Sequence, residues 1–189
     1  MAEKVKILLV DDDVDFSDLN KAVLENHGFE VAVAFSGQEG LEKVRFEQPD
    51  LIVLDLMMEK HDTGFTLAKT LKADPVFQKI PILMLTAVAT ETGFDFSQEL
   101  DGYWMKTDDY ASKPLLPEEL MKKVNDLLER EITAIQKDLA NYERVRKFTL
   151  LEKQFSIEEG ELTPSQKVRR KVVEQKYQQI IDGMYDGVS

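Results

Sequence analysis

Apolar runs that stop at an acid or a hydroxyl recur along this chain and set its organisation. Leu51-Ile52-Val53-Leu54 ends in Asp55, Val5-Lys6-Ile7-Leu8-Leu9-Val10 in Asp11-Asp12-Asp13, and Ile80-Pro81-Ile82-Leu83-Met84-Leu85 in Thr86-Ala87. Short branched runs bounded by polar sequence predict strands buried on both faces, as in parallel sheets covered by helices. Phe29 to Phe35 alternates and predicts a further strand, and Asp109 to Ser112 is expected to be the fifth.

Helical patterns fill the intervals. Val14 to His27 carries Phe16, Leu19, Val23 and Leu24 on one face, with Gly28 as a stop. Ser36 and Glu39 form a capping box that opens a helix to about Phe46, and Pro49 closes that segment. Phe65 to Ala73 predicts a third helix, broken by Asp74-Pro75. Alternating strands and helices are the grammar of a doubly wound α/β sheet. Such sheets bind ligands beyond the carboxyl ends of their strands, which gathers Asp11, Asp55 and Thr86 on one rim.

Pro117, Glu118 and Glu119 open a further helix, its acids favouring the positive end of the dipole. Met121, Val124, Leu128, Ile132, Ile135, Leu139 and Tyr142 follow at near-heptad spacing, and no Gly or Pro interrupts residues 118–147. This predicts a rod of ~45 Å at 1.5 Å per residue, whose seam either packs on the chain's own C-terminal part or pairs two chains as a homodimer. Thr163 with Gln166 reads as another capping box and Pro164 as a first-turn residue, predicting a helix from there to about Tyr185. Three parts result: 1–127, an extended helix or linker over 128–147, and a small α+β module over 148–189.

At 189 residues with 43% hydrophobic content, the chain has room for one ordinary domain and a small addition. It has no cysteine, so disulfides and thiolate chemistry are excluded. No apolar run approaches the ~20 residues needed to span a bilayer, and Met1-Ala2-Glu3-Lys4 leads straight into a strand, so a soluble cytoplasmic protein without membrane contact is expected. Residues 1–117 carry 22 acidic and 11 basic side chains, and the remainder is nearly balanced. An acidic first domain repels phosphates, so nucleic acid is not an expected partner.

Five residues in order, Asp11, Asp12, Asp55, Thr86 and Lys113 followed by Pro114, make residues 4–127 resemble a response-regulator receiver domain of the CheY-like type. The resemblance implies a flavodoxin-like, five-stranded parallel sheet of order 2-1-3-4-5 and a cis Lys113-Pro114 bond. It implies Asp55 as phosphoacceptor, Thr86 as switch hydroxyl, Tyr110 as aromatic switch and Lys113 as the paired lysine. Mg²⁺ would be held by Asp12, Asp55 and the backbone carbonyl of Met57, with Asp11 acting through water. Crowded carboxylates repel, and a hard cation with oxygen ligands resolves that repulsion. The sequence departs from the family at Glu59, at Asp62-Thr63-Gly64 with its extra residue, and in a stretched segment from Val88 to Asp109.

Residues 129–185 resemble the extreme C-terminus of AMP-forming long-chain acyl-CoA synthetases, through Tyr142 to Leu151, Phe155-Ser156-Ile157-Glu158 and Gly160 to Arg170, with Lys167 at the position of that family's catalytic lysine. A lone lysine among Arg169, Arg170 and Lys171 reads more simply as part of a solvated face. The phosphate-binding segment and adenylate-binding body of a ligase are absent, so autonomous ligase activity is not expected. The leading reading is a two-component response regulator phosphorylated by a sensor histidine kinase, with an unknown downstream protein partner. The alternative is an accessory or regulatory subunit of acyl-CoA ligation. A transcription factor is disfavoured, because the tail shows no basic helix-turn-helix recognition element.

Overall fold

The computed structural model describes residues 4–58, 63–86, 107–140, 143–149, 151 and 153–185. Five parallel strands, β1 (Lys6–Val10), β2 (Glu30–Ala34), β3 (Leu51–Asp55), β4 (Ile82–Thr86) and β5 (Asp109–Ser112), form one sheet of order β2-β1-β3-β4-β5. Val10 pairs with Leu54, Asp55 with Leu85 and Thr86 with Ser112, so the strand ends come level. This is the expected flavodoxin-like order. Every residue of β3 and β4 is buried.

Side chains along a strand alternate between faces, and the core divides accordingly. Ile7, Leu9, Leu51, Val53, Leu83 and Leu85 form one layer with Leu24 of α1 (Val14–Asn26) and Leu120, Val124 and Leu127 of α4 (Pro117–Ile135). Leu8, Val10, Ile52, Leu54, Ile82 and Met84 form the other with Val44 of α2 (Gly37–Glu47) and Leu67 and Leu71 of α3 (Thr63–Ala73). The Ser36 half of the predicted capping box at α2 forms, the Glu39 N–H donating to Ser36 Oγ at 3.2 Å, while Glu39 Oε2 reaches one residue further back and accepts from the Phe35 N–H at 2.8 Å. The Lys113-Pro114 bond is cis.

Three sequence expectations need correction. In α1 the buried stripe is Ser17, Asn20 and Leu24, while Leu19 is 59% exposed. Leu24 is buried and Phe16 and Val23 pack against the same layer as expected, but two further core-facing positions are small polar residues, Asn20 Nδ2 donating to the Phe16 carbonyl at 2.8 Å, and apolar spacing misplaced Leu19 alone.

The long helix is shorter than its sequence pattern suggests. α4 ends at Ile135 after 19 residues, with Gln136 as its C-cap. The Arg144 guanidinium donates to the Leu139 and Lys137 carbonyls, both at 2.8 Å, and the Val145 N–H donates to Gln136 Oε1, which turns the chain back. Met121, Val124 and Leu128 are buried against the sheet, whereas Ile135 is 77% exposed and Leu139 is exposed. The first half of the seam is thus the helix's own sheet-facing side. Tyr142 lies outside the described residues. The returning segment lays Phe148 against the first core layer.

The third correction concerns the C-terminal module. Residues 163–166 form a turn, with the Gln166 N–H donating to the Thr163 carbonyl at 2.8 Å and Gln166 at φ 60°. Leu162 and Val168 bridge antiparallel, and helix begins only at α5 (Arg170–Lys176), followed by α6 (Gln178–Tyr185). Thr163 Oγ1 accepts from the Lys167 N–H at 3.0 Å, so the hydroxyl closes the hairpin turn and caps no helix. A left-handed residue cannot sit inside a right-handed helix without strain. The module is organised on the buried Glu161 carboxylate, which accepts from Tyr177 OH at 2.6 Å, Lys176 Nζ at 2.9 Å and the Ser156 N–H at 2.8 Å. No helix among the described residues is long and apolar enough to cross a membrane.

Two outcomes follow from this packing. Leu120, fully buried under the sheet, should lose about 2–5 kcal/mol of stability on replacement by Ala, whereas Ile135→Ala should stay within about 0.5 kcal/mol in urea titration. In the module, bonds from Tyr177, Lys176 and the Ser156 N–H hold the Glu161 carboxyl down at about 2 against an ordinary value of 4.5. A depressed carboxyl stabilises the fold above its unfolded value and loses that contribution as pH falls through its folded one. Proteolysis of the 153–185 module should therefore accelerate as pH drops from about 4.5 toward 2, and Glu161→Gln should flatten that dependence.

Candidate functional site

The site forms because β1, β3 and β4 are adjacent and end level. Asp11 follows β1, Asp55 closes β3, Thr86 closes β4 and Lys113 follows β5. The carboxylate oxygens of Asp11, Asp12 and Asp55 lie within 4.8 Å of one another, Asp12 on the exposed side and the other two buried. Lys113 Nζ donates to Asp11 Oδ2 at 2.6 Å and to Asp55 Oδ2 at 2.9 Å. The Lys113 backbone is set by its N–H, which donates to the Thr86 carbonyl at 2.8 Å.

The loops orient the acids. The Asp13 N–H donates to Asp11 Oδ1 at 3.0 Å, and the Met57 N–H donates to Asp55 Oδ1 at 3.1 Å. Gly64, in the first turn of α3, lies so close to the end of β3 that a Cβ there would come within 1.9 Å of the Asp55 carbonyl oxygen. Only glycine fits where one backbone presses on another in this way. Glu59 and Asp62 of the altered loop, and residues 87–106 of the stretched segment, lie outside the described residues.

Burial pushes the Asp11 carboxyl up, against the opposing pull of the Lys113 hydrogen bond and charge. For Lys113, burial works to lower its affinity for the proton, but the bonds to Asp11 and then Asp55 outweigh it, and the ammonium is held above the ordinary lysine value. The lysine is thus a firmly charged cation beside two buried carboxyl groups. The three carboxylates are hard oxygen donors converging on one side, a donor set that fits a divalent cation such as Mg²⁺.

Thr86 is buried at the rim. Tyr110 is half-buried in β5, packed against the α2–α3 layer, with Lys123 Nζ 5.5 Å from its ring centroid. Met57 is half-buried beside Asp55. Lys167 is exposed on the hairpin turn of the C-terminal module. Two contributors escaped the sequence reading. Gly64 appeared only as part of an irregular loop, and Phe16, taken as a core residue, has its ring centroid 4.4 Å from Lys113 Nζ.

Comparison with known proteins gives the chain a family consistent with its sheet order. The response regulator receiver domain family matches residues 7–125. The DNA-binding dual master transcriptional regulator RpaA of Synechocystis sp. is 40% identical over 125 residues, 66% of this chain and 49% of that protein. The alkaline phosphatase synthesis transcriptional regulatory protein PhoP of Bacillus subtilis is 40% identical over 139 residues, 73% of this chain and 55% of that protein. The chain thus spans about half the length of these curated relatives. Among solved structures, the receiver domain of Francisella response regulator 1452 superposes with a TM-score of 0.58 at 31% identity, covering 68% of this chain and 99% of that one. A CheY-like response regulator receiver domain protein from Methanospirillum hungatei gives 0.60 at 25% identity, with 70% and 99% covered. The tail's likeness to acyl-CoA synthetases gains no support from these matches. With its sheet order, its acidic rim and this family match, the chain belongs to the response regulator receiver family.

Proposed function

We propose that the chain is a two-component response regulator that accepts a phosphoryl group from a sensor histidine kinase on Asp55 in a Mg²⁺-dependent reaction. The observation that carries this reading is the Lys113 ammonium bridging Asp11 and Asp55 beside the exposed Asp12. An Asp55 carboxylate oxygen forms the new O–P bond as the phosphohistidine N–P bond breaks, and the imidazole leaves with the electron pair and takes up a proton. Asp11, Asp12, Asp55 and the Met57 carbonyl would hold Mg²⁺, which supplies neutralisation of phosphoryl charge. Lys113 pairs with the transferred group, and the rest is positioning.

Thr86 and Tyr110 act as the switch: Thr86 ends β4, the strand next to the acceptor, and Tyr110 lies in β5, one strand further on. New charge on Asp55 draws the Thr86 hydroxyl, and Tyr110 follows, altering a protein-binding surface built from β5 and its neighbours. RpaA is named as DNA-binding, and that description belongs to RpaA. Here the output is proposed to be protein contact without nucleic acid, in the cytoplasm, with 1–127 as receiver and the C-terminal module over 148–189 as an assembly element. Ile135, exposed at the end of α4, and Leu139, exposed in the turn that follows, offer a surface for a homodimer. Ligase activity is not part of this reading: Lys167 sits on an exposed turn, and nothing among the described residues positions an acyl-adenylate against it.

Incubation with a small phosphodonor and Mg²⁺ should add one phosphoryl group in intact-mass analysis. Asp55→Asn should abolish it, and label persisting in that variant would refute Asp55 as acceptor. Without a phosphodonor, Mg²⁺ binding to the folded state alone should raise stability by about 2.7 kcal/mol at roughly 100 times its Kd. Asp12→Asn should remove most of that gain in thermal unfolding.

A further inference from the structure

We propose that Phe16 is a positioning residue for phosphoryl transfer: its ring holds the Lys113 ammonium by a cation–π contact and leaves the ammonium's N–H groups to the carboxylates and the phosphoryl group. This rests on Asp55 as acceptor. Lys113 Nζ lies 4.4 Å from the Phe16 ring centroid, well inside the ~6 Å reach of such contacts. An ammonium has three donors; one goes to Asp11 Oδ2 at 2.6 Å and one to Asp55 Oδ2 at 2.9 Å.

The ring is itself fixed. Phe16 occupies the first turn of α1, and its backbone N–H donates to the N-cap carboxylate Asp13 Oδ1 at 3.0 Å. Its carbonyl accepts from Asn20 Nδ2 at 2.8 Å, and its side chain packs against the α1–α4 core layer. The acidic run 11–13 therefore does two jobs, placing Asp11 and Asp12 on the rim and anchoring the ring through Asp13.

The chemistry asks for a neutral holder. When the O–P bond forms, negative charge moves from the Asp55 carboxylate to the phosphoryl oxygens, and the ammonium must redirect a donor from one to the other. A carboxylate or carbonyl against the ammonium would claim an N–H and oppose that redirection. An aromatic face attracts the charge without claiming a hydrogen, so the same contact serves before and after transfer. The competing view is that Phe16 only fills the core. Leucine would serve that purpose equally well, and it lacks the ring's negative face.

The test uses the full chain with acetyl phosphate and Mg²⁺, comparing wild type, Phe16→Leu and Phe16→Tyr, with Phe16→Met in reserve should the leucine variant fail to fold. Phosphoryl uptake by Phe16→Leu should slow roughly 5- to 30-fold, while Phe16→Tyr stays within about twofold of wild type. Independently of activity, the Lys113 ε-methylene proton resonances should be shifted upfield by the ring current in wild type and Phe16→Tyr, and should lose that shift in Phe16→Leu. Equal rates in all three, equal slowing in the Leu and Tyr variants, or an ε-methylene shift indifferent to the ring would each overturn the proposal. A wild-type chain that shows the shift and takes up no phosphoryl group would instead overturn the acceptor reading, and with it the role assigned to the ring.

Discussion

One ammonium between two buried carboxylates is the interaction on which this molecule's acidic rim depends. β1 and β3 are neighbours with Val10 opposite Leu54, so Asp11 and Asp55 are forced together as soon as the sheet forms. Two anions in that position oppose folding unless a cation joins them. Lys113 reaches them from beyond β5, held by its N–H bond to the Thr86 carbonyl. Removing one partner of a buried charged pair costs about 3–5 kcal/mol, because the remaining charge is left without compensation. The order of strands, the rim chemistry and the stability of that edge are therefore one constraint.

The C-terminal module is built on a different principle. Neither α5 nor α6 has a fully buried residue. What it buries is a carboxylate, with a lysine, a phenol and a backbone N–H around it. Charge-assisted hydrogen bonds are directional, so they define a shape, but they contribute less net stability than an apolar core of similar size. Phe148 ties the segment leading to this module back to the receiver core.

Much of the receiver could be read from the sequence because its signals were strong and mutually consistent. Buried parallel strands are apolar throughout, Ser36 and Glu39 mark a helix start, and acids that singly read as turns or helix caps become specific when Asp11, Asp12, Asp55, Thr86 and Lys113 occur in order. The failures have physical causes too. Ser17 and Asn20 face the core with their polar groups satisfied locally, so hydropathy pointed to Leu19 instead. The α4 seam kept its period past Ile135 although the covering sheet ends earlier. Thr163 and Gln166 match a helix cap by spacing, but the Thr163 N–H bonds the Lys167 carbonyl and the Arg169 N–H the Glu161 carbonyl, making a hairpin in which Leu162 faces Val168, and pairing across a turn is invisible to a local pattern. Phe16 was legible as apolar; that its face meets Lys113 depends on a contact 97 residues away in the chain.

The foot of β4 and the start of β5 are joined by more than their ladder. Asp108 and Ile82 exchange backbone and side-chain bonds, the Ile82 N–H donating to Asp108 Oδ2 at 2.7 Å and the Asp108 N–H to the Ile82 carbonyl at 3.0 Å. Lys72 Nζ completes the knot, donating to Asp108 Oδ2 at 2.6 Å and to the Ile80 carbonyl at 2.8 Å. β5 is thus tied to β4 at the end of the strand pair away from the acidic rim. Register along a parallel ladder is continuous, so the bonds at the foot of the pair help to set Ser112 level with Thr86 at the opposite end, beside the acidic rim.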